Sequence, residues 1–140
     1  MAEKSEKNRP HLYLIDGSNY VYRAYHAIRS SLSNSKGMPT NAIYGYTQML
    51  RKILKSQTPT HCAVAFDLGP PTMRLEMYPK YKANRPETPE EIKIQWPYCR
   101  ELTQALGITI IEKAGIEADD LIGTLARKAE SKGFDVTIVT

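Results

Sequence analysis

Four short apolar runs punctuate the chain, and three of them close on a carboxylate. His11-Leu-Tyr-Leu-Ile-Asp16 runs into Asp-Gly, His61-Cys-Ala-Val-Ala-Phe-Asp67 ends in aspartate, Ile108-Thr-Ile-Ile-Glu112 ends in glutamate, and Asp135-Val-Thr-Ile-Val-Thr140 is the fourth. Continuous apolar runs of this length predict strands buried on both faces rather than half-exposed ones. Between them the period changes to that of a helix. Ser18 to about Ile28 places Val21, Tyr22 and Tyr25 on one side, and Ile43 to about Leu54 does the same with Tyr46, Met49, Leu50, Ile53 and Leu54. A third helix is predicted from Pro89 to about Leu106, with Pro97 expected to kink or restart it. The fourth, Ala118 to Lys132, carries Leu121, Ile122, Leu125 and Ala129 on one stripe and stops at Gly133.

Strands alternating with helices require crossover connections, so the pattern predicts a three-layer α/β fold around a parallel sheet. One domain is expected over residues 11–140, preceded by a loose, disordered tail at 1–10. Residues 68–90 interrupt the alternation. They hold Pro70, Pro71, Pro79, Pro86 and Pro89 and no strand pattern, and are expected to form an excursion over the strand ends.

Composition changes the picture in three places. With 41% hydrophobic and 24% charged residues the chain is that of a globular domain, and no run approaches the ~20 apolar residues of a membrane span. The first ten residues carry no secretory pattern, which predicts a cytoplasmic protein. Two cysteines, Cys62 and Cys99, are too few for a disulfide framework and lack metal-type spacing; both read as packing residues. The net charge of +4 is polarised: residues 1–60 hold nine bases against three acids, and 115–140 hold five acids against three bases. One reading is a basic surface beside an acidic pocket, which allows a polyanionic partner; the other is ordinary solvated faces.

In a parallel sheet the residues just past each carboxyl end gather on one edge, where such folds bind ligands. That rule brings together Asp16, Asp67, Glu117, Asp119 and Asp120, with Gly115 supplying the turn before the last three. Taken singly, Asp16-Gly17 is an ordinary turn and the three later acids an ordinary acidic first turn. Together they repel by several kcal/mol at intermediate dielectric, far more than a helix dipole offsets. A hard dication resolves this, Mg²⁺ or Mn²⁺ taking oxygen ligands, whereas the lack of histidine or cysteine in the set disfavours zinc. Ser18 and Asn19 are expected either to cap the first helix or to contact substrate. The excursion supplies Arg74, Lys80, Lys82 and Arg85 interleaved with Tyr78 and Tyr81, a mixture suited to phosphates and stacked bases.

Five segments in collinear order carry a resemblance. They are Leu14-Ile-Asp-Gly-Ser-Asn-Tyr-Val-Tyr-Arg-Ala-Tyr-His26, Asn34-Ser-Lys-Gly-Met-Pro-Thr-Asn-Ala-Ile-Tyr-Gly-Tyr46, Phe66-Asp67, Tyr78-Pro-Lys-Tyr-Lys-Ala-Asn-Arg-Pro86 and Gly115-Ile-Glu-Ala-Asp-Asp-Leu-Ile-Gly-Thr-Leu-Ala126. Over about residues 11–140 the chain resembles the amino-terminal half of the 5' nuclease (5'-3' exonuclease) domains of bacterial DNA polymerase I, in the flap endonuclease family with its PIN-like, resolvase-like fold. The resemblance implies a metal-dependent DNA hydrolase acting in replication and repair on a 5' flap or single-strand/double-strand junction. It assigns Asp16, Asp67, Glu117, Asp119 and Asp120 to the metal, with Asp16, Asp67, Lys82 and Arg85 catalytic. Lys82 and Arg85 are assigned to DNA at the foot of a helical arch, and Arg74, Lys80 and Tyr81 to DNA as well. It also implies continuation into a polymerase.

Departures from the family pattern shape the remaining expectations. The strand at Asp135–Thr140 stands where the family runs on into a Gly-Asp-Lys-Asp-type motif and a helix-hairpin-helix, so the fold is expected to be truncated at its carboxyl end and activity of the 140 residues alone reduced or absent. Leu68-Gly-Pro-Pro-Thr-Met73 is more proline-rich than the family's arch entrance. A bare edge strand invites pairing with a second copy. The competing readings are a DNA-binding module without catalysis and a small PIN-type ribonuclease.

Overall fold

The computed structural model describes residues 9–28, 32–67 and 89–140. Eight elements follow one another: β1 (His11–Asp16), α1 (Gly17–Ala27), α2 (Asn41–Gln57), β2 (His61–Ala65), α3 (Glu90–Ala105), β3 (Thr109–Ile111), α4 (Ala118–Ser131) and β4 (Asp135–Val139). The strands form one parallel sheet in the order β3-β2-β1-β4. The chain steps outward from β1 to β2 to β3 and then returns to the other side of β1. Right-handed crossovers in opposite directions must lie on opposite faces. Accordingly α1, α2 and α3 cover one face and α4 the other, the expected three layers.

The first face holds most of the large side chains. Ile15, Val21, Tyr46, Leu50, Val64, Phe66, Ile92 and Cys99 are all fully buried there. Phe66 meets Tyr46 and Trp96 with ring centroids 6.2 and 5.8 Å apart. The Tyr46 hydroxyl lies 2.5 Å from Thr103 Oγ1, which itself donates to the Cys99 carbonyl. Burial pushes the Tyr46 phenol well above its ordinary range, and the Cys99 thiol up to about 12. Cys99 therefore behaves as the packing residue its sequence context predicts.

A buried amide fixes how the three helices meet. Gln95 accepts from the Ile43 N–H and donates to Asn41 Oδ1 and the Glu91 carbonyl, while Asn41 donates to the Tyr25 and Ile28 carbonyls. These bonds start α2 at Asn41, two residues before its apolar periodicity begins. The loop before it is closed by Asn34, whose side-chain oxygen accepts from the Lys36 and Met38 N–H groups, with Gly37 in the left-handed region at φ 81°. Helix α3 runs unbroken through Pro97, so the helix does not restart there. The opposite face is built from small residues. Leu14, Ala63 and Ala65 pack on Ala118, Ile122 and Ala126 of α4.

Residues 1–8 and 68–88, and with them most of the expected tail and nearly all of the expected excursion, lie outside the described residues. Among the described residues no helix is long and apolar enough to cross a membrane.

Candidate active site

The register of the sheet aligns its carboxyl ends. Asp16 is opposite Ala65, Ala65 opposite Ile111, and Ile15 opposite Val139. Strand order reverses between β1 and β4, so the crevice at the end of β1 is the switch point where such folds take ligands. Asp16 is the last residue of β1 and caps α1, its Oδ1 accepting from the Asn19 N–H at 3.0 Å. The cap is thus Asp16 itself, not Ser18 or Asn19 as their position in the sequence suggested. The local sequence offers three capping side chains within four residues; the tight Asp-Gly turn starts the helix at Gly17, and the first of them, Asp16, takes the cap.

Gly17 makes that turn possible. A Cβ there would stand 2.5 Å from Val64 Cγ1 and 2.9 Å from the Phe66 ring, so a larger residue would force α1 away from β2. Ser18, buried behind it, turns its hydroxyl across to the neighbouring strand and accepts from the Asp67 N–H at 2.9 Å. Asp67 in turn accepts through Oδ1 from the Ala118 N–H, the first of α4, at 2.7 Å. An anion at a helix amino terminus is stabilised by the free N–H groups and the dipole. Asp67 therefore ties the starts of α1 and α4 together.

The loop into α4 is shaped by Gly115. Lys113 and Ile116 form an isolated bridge, the Ile116 N–H donates to the Lys113 carbonyl at 3.2 Å, and Gly115 sits at φ 81°. That turn delivers Glu117, Asp119 and Asp120. One carboxylate oxygen of each lies within 4.8 Å of the others; Glu117 is buried, whereas Asp119 and Asp120 are exposed. Oxygens so spaced can share one hard dication, whose ligands sit ~2.0 to 2.6 Å from it. Asp16 and Asp67 do not belong to this tight triplet, yet they face it. The Asp16 carboxyl is held above its ordinary 3.8, first by burial and then by the charges of Asp67 and Asp119, against the lowering effect of the Asn19 N–H.

Of the five acids expected at one edge, Glu117, Asp119 and Asp120 cluster, Asp67 binds the Ala118 N–H that opens their helix, and the charges of Asp67 and Asp119 act on Asp16. The donor set is all oxygen, which suits Mg²⁺ or Mn²⁺. A sixth acid, Glu112 at the end of β3, received no role from the sequence. It is paired with Arg100 of α3 through Arg100 Nη2 and Glu112 Oε1. The pair neutralises the one strand-end carboxylate that stands outside the set, and only the i-to-i+12 partner on another element could have revealed it. Arg74, Lys80, Tyr81, Lys82 and Arg85 lie outside the described residues.

Residues 11–140 match the family model described as "5'-3' exonuclease, N-terminal resolvase-like domain". The chain is 44% identical over 140 residues to DNA polymerase I of Mycobacterium bovis, covering 99% of this chain and 16% of that protein. It is 50% identical over 129 residues to DNA polymerase I of Bacillus caldotenax, covering 92% of this chain and 15% of that protein. The chain spans about a sixth of the length of these relatives. In fold it is similar to a T5 5'-exonuclease with bound zinc, at TM-score 0.66 and 22% identity over 91% of this chain and 48% of that one. The catalytic core of Rad2 bound to DNA gives 0.57 and 21% over 93% and 40%. Sequence and fold agree: the chain belongs to the family of 5'-3' exonuclease amino-terminal resolvase-like domains.

Proposed function

We propose that this chain hydrolyses DNA phosphodiesters as part of a 5'-3' exonuclease or flap endonuclease, on a 5' flap or a junction of single and double strand, and that Mg²⁺ is the ion it uses. The observation that carries the reading is the gathering of Asp16, Asp67, Glu117, Asp119 and Asp120 at the carboxyl edge from three strand ends. Glu117, Asp119 and Asp120 would hold the ion, with Asp16 and Asp67 completing its surroundings. A dication held there would neutralise phosphate charge and would make water a competent nucleophile at neutral pH.

The chain's own groups do the rest. Asp67 fixes the α4 acids relative to the end of β2 by its bond to the Ala118 N–H, so the carboxylates are placed before substrate arrives. Burial, joined by the charges of Asp67 and Asp119, holds the Asp16 carboxyl above its ordinary value. Lys82 and Arg85 would neutralise the scissile phosphate, and Arg74, Lys80 and Tyr81 would hold the strand that leads to it. Continuation into a polymerase is supported by the relatives, which are DNA polymerase I. A second copy on the edge strand β4, whose Ile138 is 49% exposed, is a further element of the reading, as is a cytoplasmic location.

The test is cleavage of a labelled 5'-flap oligonucleotide in Mg²⁺ by an active longer form continued past Thr140 and by its Asp119→Asn variant. Loss of a ligand is expected to lower the rate at least ~100-fold, because even residues behind the ligands are worth 10 to 100-fold. Equal cleavage by the two proteins would overturn the assignment.

A further inference from the structure

Residues 17–66 contain no Asp or Glu, yet hold six Lys or Arg. Three of these fall on α2, at positions whose spacing puts them on one line. Gln48, Arg51, Lys52 and Lys55 stand at i, i+3, i+4 and i+7, so they form a single stripe ~10 Å long on a helix rising ~1.5 Å per residue. All four are exposed. They line a groove of about 730 Å³ floored by Leu54 and by Leu106 at the end of α3. Among the described residues none of the three cations has an ion-pair partner.

Dipole complementarity explains one cation in the last turn of a helix, and Lys55 fills that role. It does not explain Arg51 and Lys52 a turn earlier, nor the lack of any carboxylate among the seventeen residues of α2. Solvated helix faces usually mix both signs, since opposite charges four residues apart support the helix and like charges oppose it. Here Arg51 and Lys55 are like charges at i, i+4, and among the described residues no carboxylate pairs with either. An external polyanion would relieve that repulsion.

From these observations we infer that the Arg51-Lys52-Lys55 stripe is a second DNA contact, binding the phosphate backbone of the duplex away from the reacting centre. The inference rests on the reading of the carboxylate edge as a DNA-hydrolysing site. The stripe lies on the half of α2 that leads down to the start of β2, whereas the acids lie at the opposite ends of the strands. At ~3.4 Å per nucleotide along one strand, 10 Å spans about three phosphates. A flexible Lys and a forked Arg beside a glutamine amide suit backbone oxygens without selecting bases. The apolar floor lets the long side-chain stems lie down while their charges face outward. The stripe would therefore add affinity independent of sequence, and would leave the chemistry to the acidic edge.

The experiment is fluorescence anisotropy of a labelled 5'-flap duplex, in Ca²⁺, over a range of salt concentrations. It compares the unaltered chain, the triple variant R51A/K52A/K55A and a charge-matched variant K93A/K128A/K132A. All six residues are exposed, and melting temperatures verify that each protein is folded. The stripe variant is expected to bind at least tenfold more weakly at low salt, with its log–log salt slope shallower by ~2 to 3, because each lost phosphate contact removes ~0.9. The matched variant should stay close to the unaltered chain. Unchanged affinity and slope in the stripe variant, with salt-sensitive binding by the unaltered chain, would overturn the second contact alone. Equal weakening in both variants would show a net-charge effect and overturn it too. Absence of salt-sensitive binding by the unaltered chain would overturn the DNA reading and the stripe together. Binding of poly-glutamate that only the stripe variant loses, with duplex affinity unchanged, would reassign the stripe to an acidic polypeptide.

Discussion

The two faces of the sheet are built differently. On the α1–α3 side the chain buries Tyr46, Phe66, Ile15, Leu50 and Ile92 completely, and three helices share the work of covering the strands. On the α4 side the buried centre is Ala63 and Ala65 against Ala118 and Ala126, with Leu14 and Ile122 beside them and Leu12, Ile111, Leu125 and Val136 only partly buried around it. The first face has the apolar volume to stabilise the fold, at ~1.5 to 3 kcal/mol for each large side chain buried. The second has little volume, but alanine lets a helix lie close to its sheet. Closeness is what the acids need, because the α4 terminus must reach Asp67 at the end of β2. One face supplies stability and the other supplies placement.

The widest separation of these duties should appear with Phe66→Ala. It removes a fully buried ring next to Tyr46 and Trp96 and should cost ~3 to 5 kcal/mol by denaturant unfolding. A loss below 1 kcal/mol would mean that the first face is not the main core. Ala65→Leu probes the opposite face, where overpacking should cost ~1 to 3 kcal/mol. Its distinguishing effect should be on the metal: by pushing the α4 start away from Asp67 it should weaken Mn²⁺ binding, measured calorimetrically, at least tenfold. Unaltered Mn²⁺ affinity would show that close packing there is not what places the acids.

The smallest effect should be a gain. Asp16→Asn keeps a capping oxygen for the Asn19 N–H and removes a charge held near Asp67 and Asp119. The Asp16 carboxyl binds its proton more tightly folded than unfolded, so its contribution favours folding below the unfolded value near 3.8 and is lost as pH rises through the raised folded value. At neutral pH without metal, the variant should melt a few degrees above the unaltered chain, and the gap should close on acidification to pH 3. A variant that melts lower at pH 7 would show that the acids do not strain the metal-free fold.

Much of this was legible from residue order because the relevant forces are local. Period and apolar run length located all four strands within two residues at either end, and the parallel topology then gathered the acids without any side-chain detail. What escaped was set across the chain. Ser18 looked like a cap because capping is read from neighbours, but its hydroxyl is taken by an N–H 49 residues away. The start of α2 was missed because Asn41 is polar; it is buried through Gln95, on another helix. Pro97 looked like a break, yet helix α3 continues through it while Ile92, Cys99 and Thr103 on either side are fully buried. Glu112 looked uninvolved, and only its pairing with Arg100 explains why a strand-end acid can be spared.

The double attachment of Asp67 has a consequence for how any variant at that position is read. Its main-chain nitrogen is moored to Ser18 and its side chain to Ala118, so it works as a rivet between two helices as well as a source of negative charge. An alanine there would remove rivet and charge together, and a dead protein could not say which was missed. Asparagine leaves an oxygen to receive the Ala118 N–H and abolishes only the charge; the difference between the two replacements measures how much of the chemistry is carpentry.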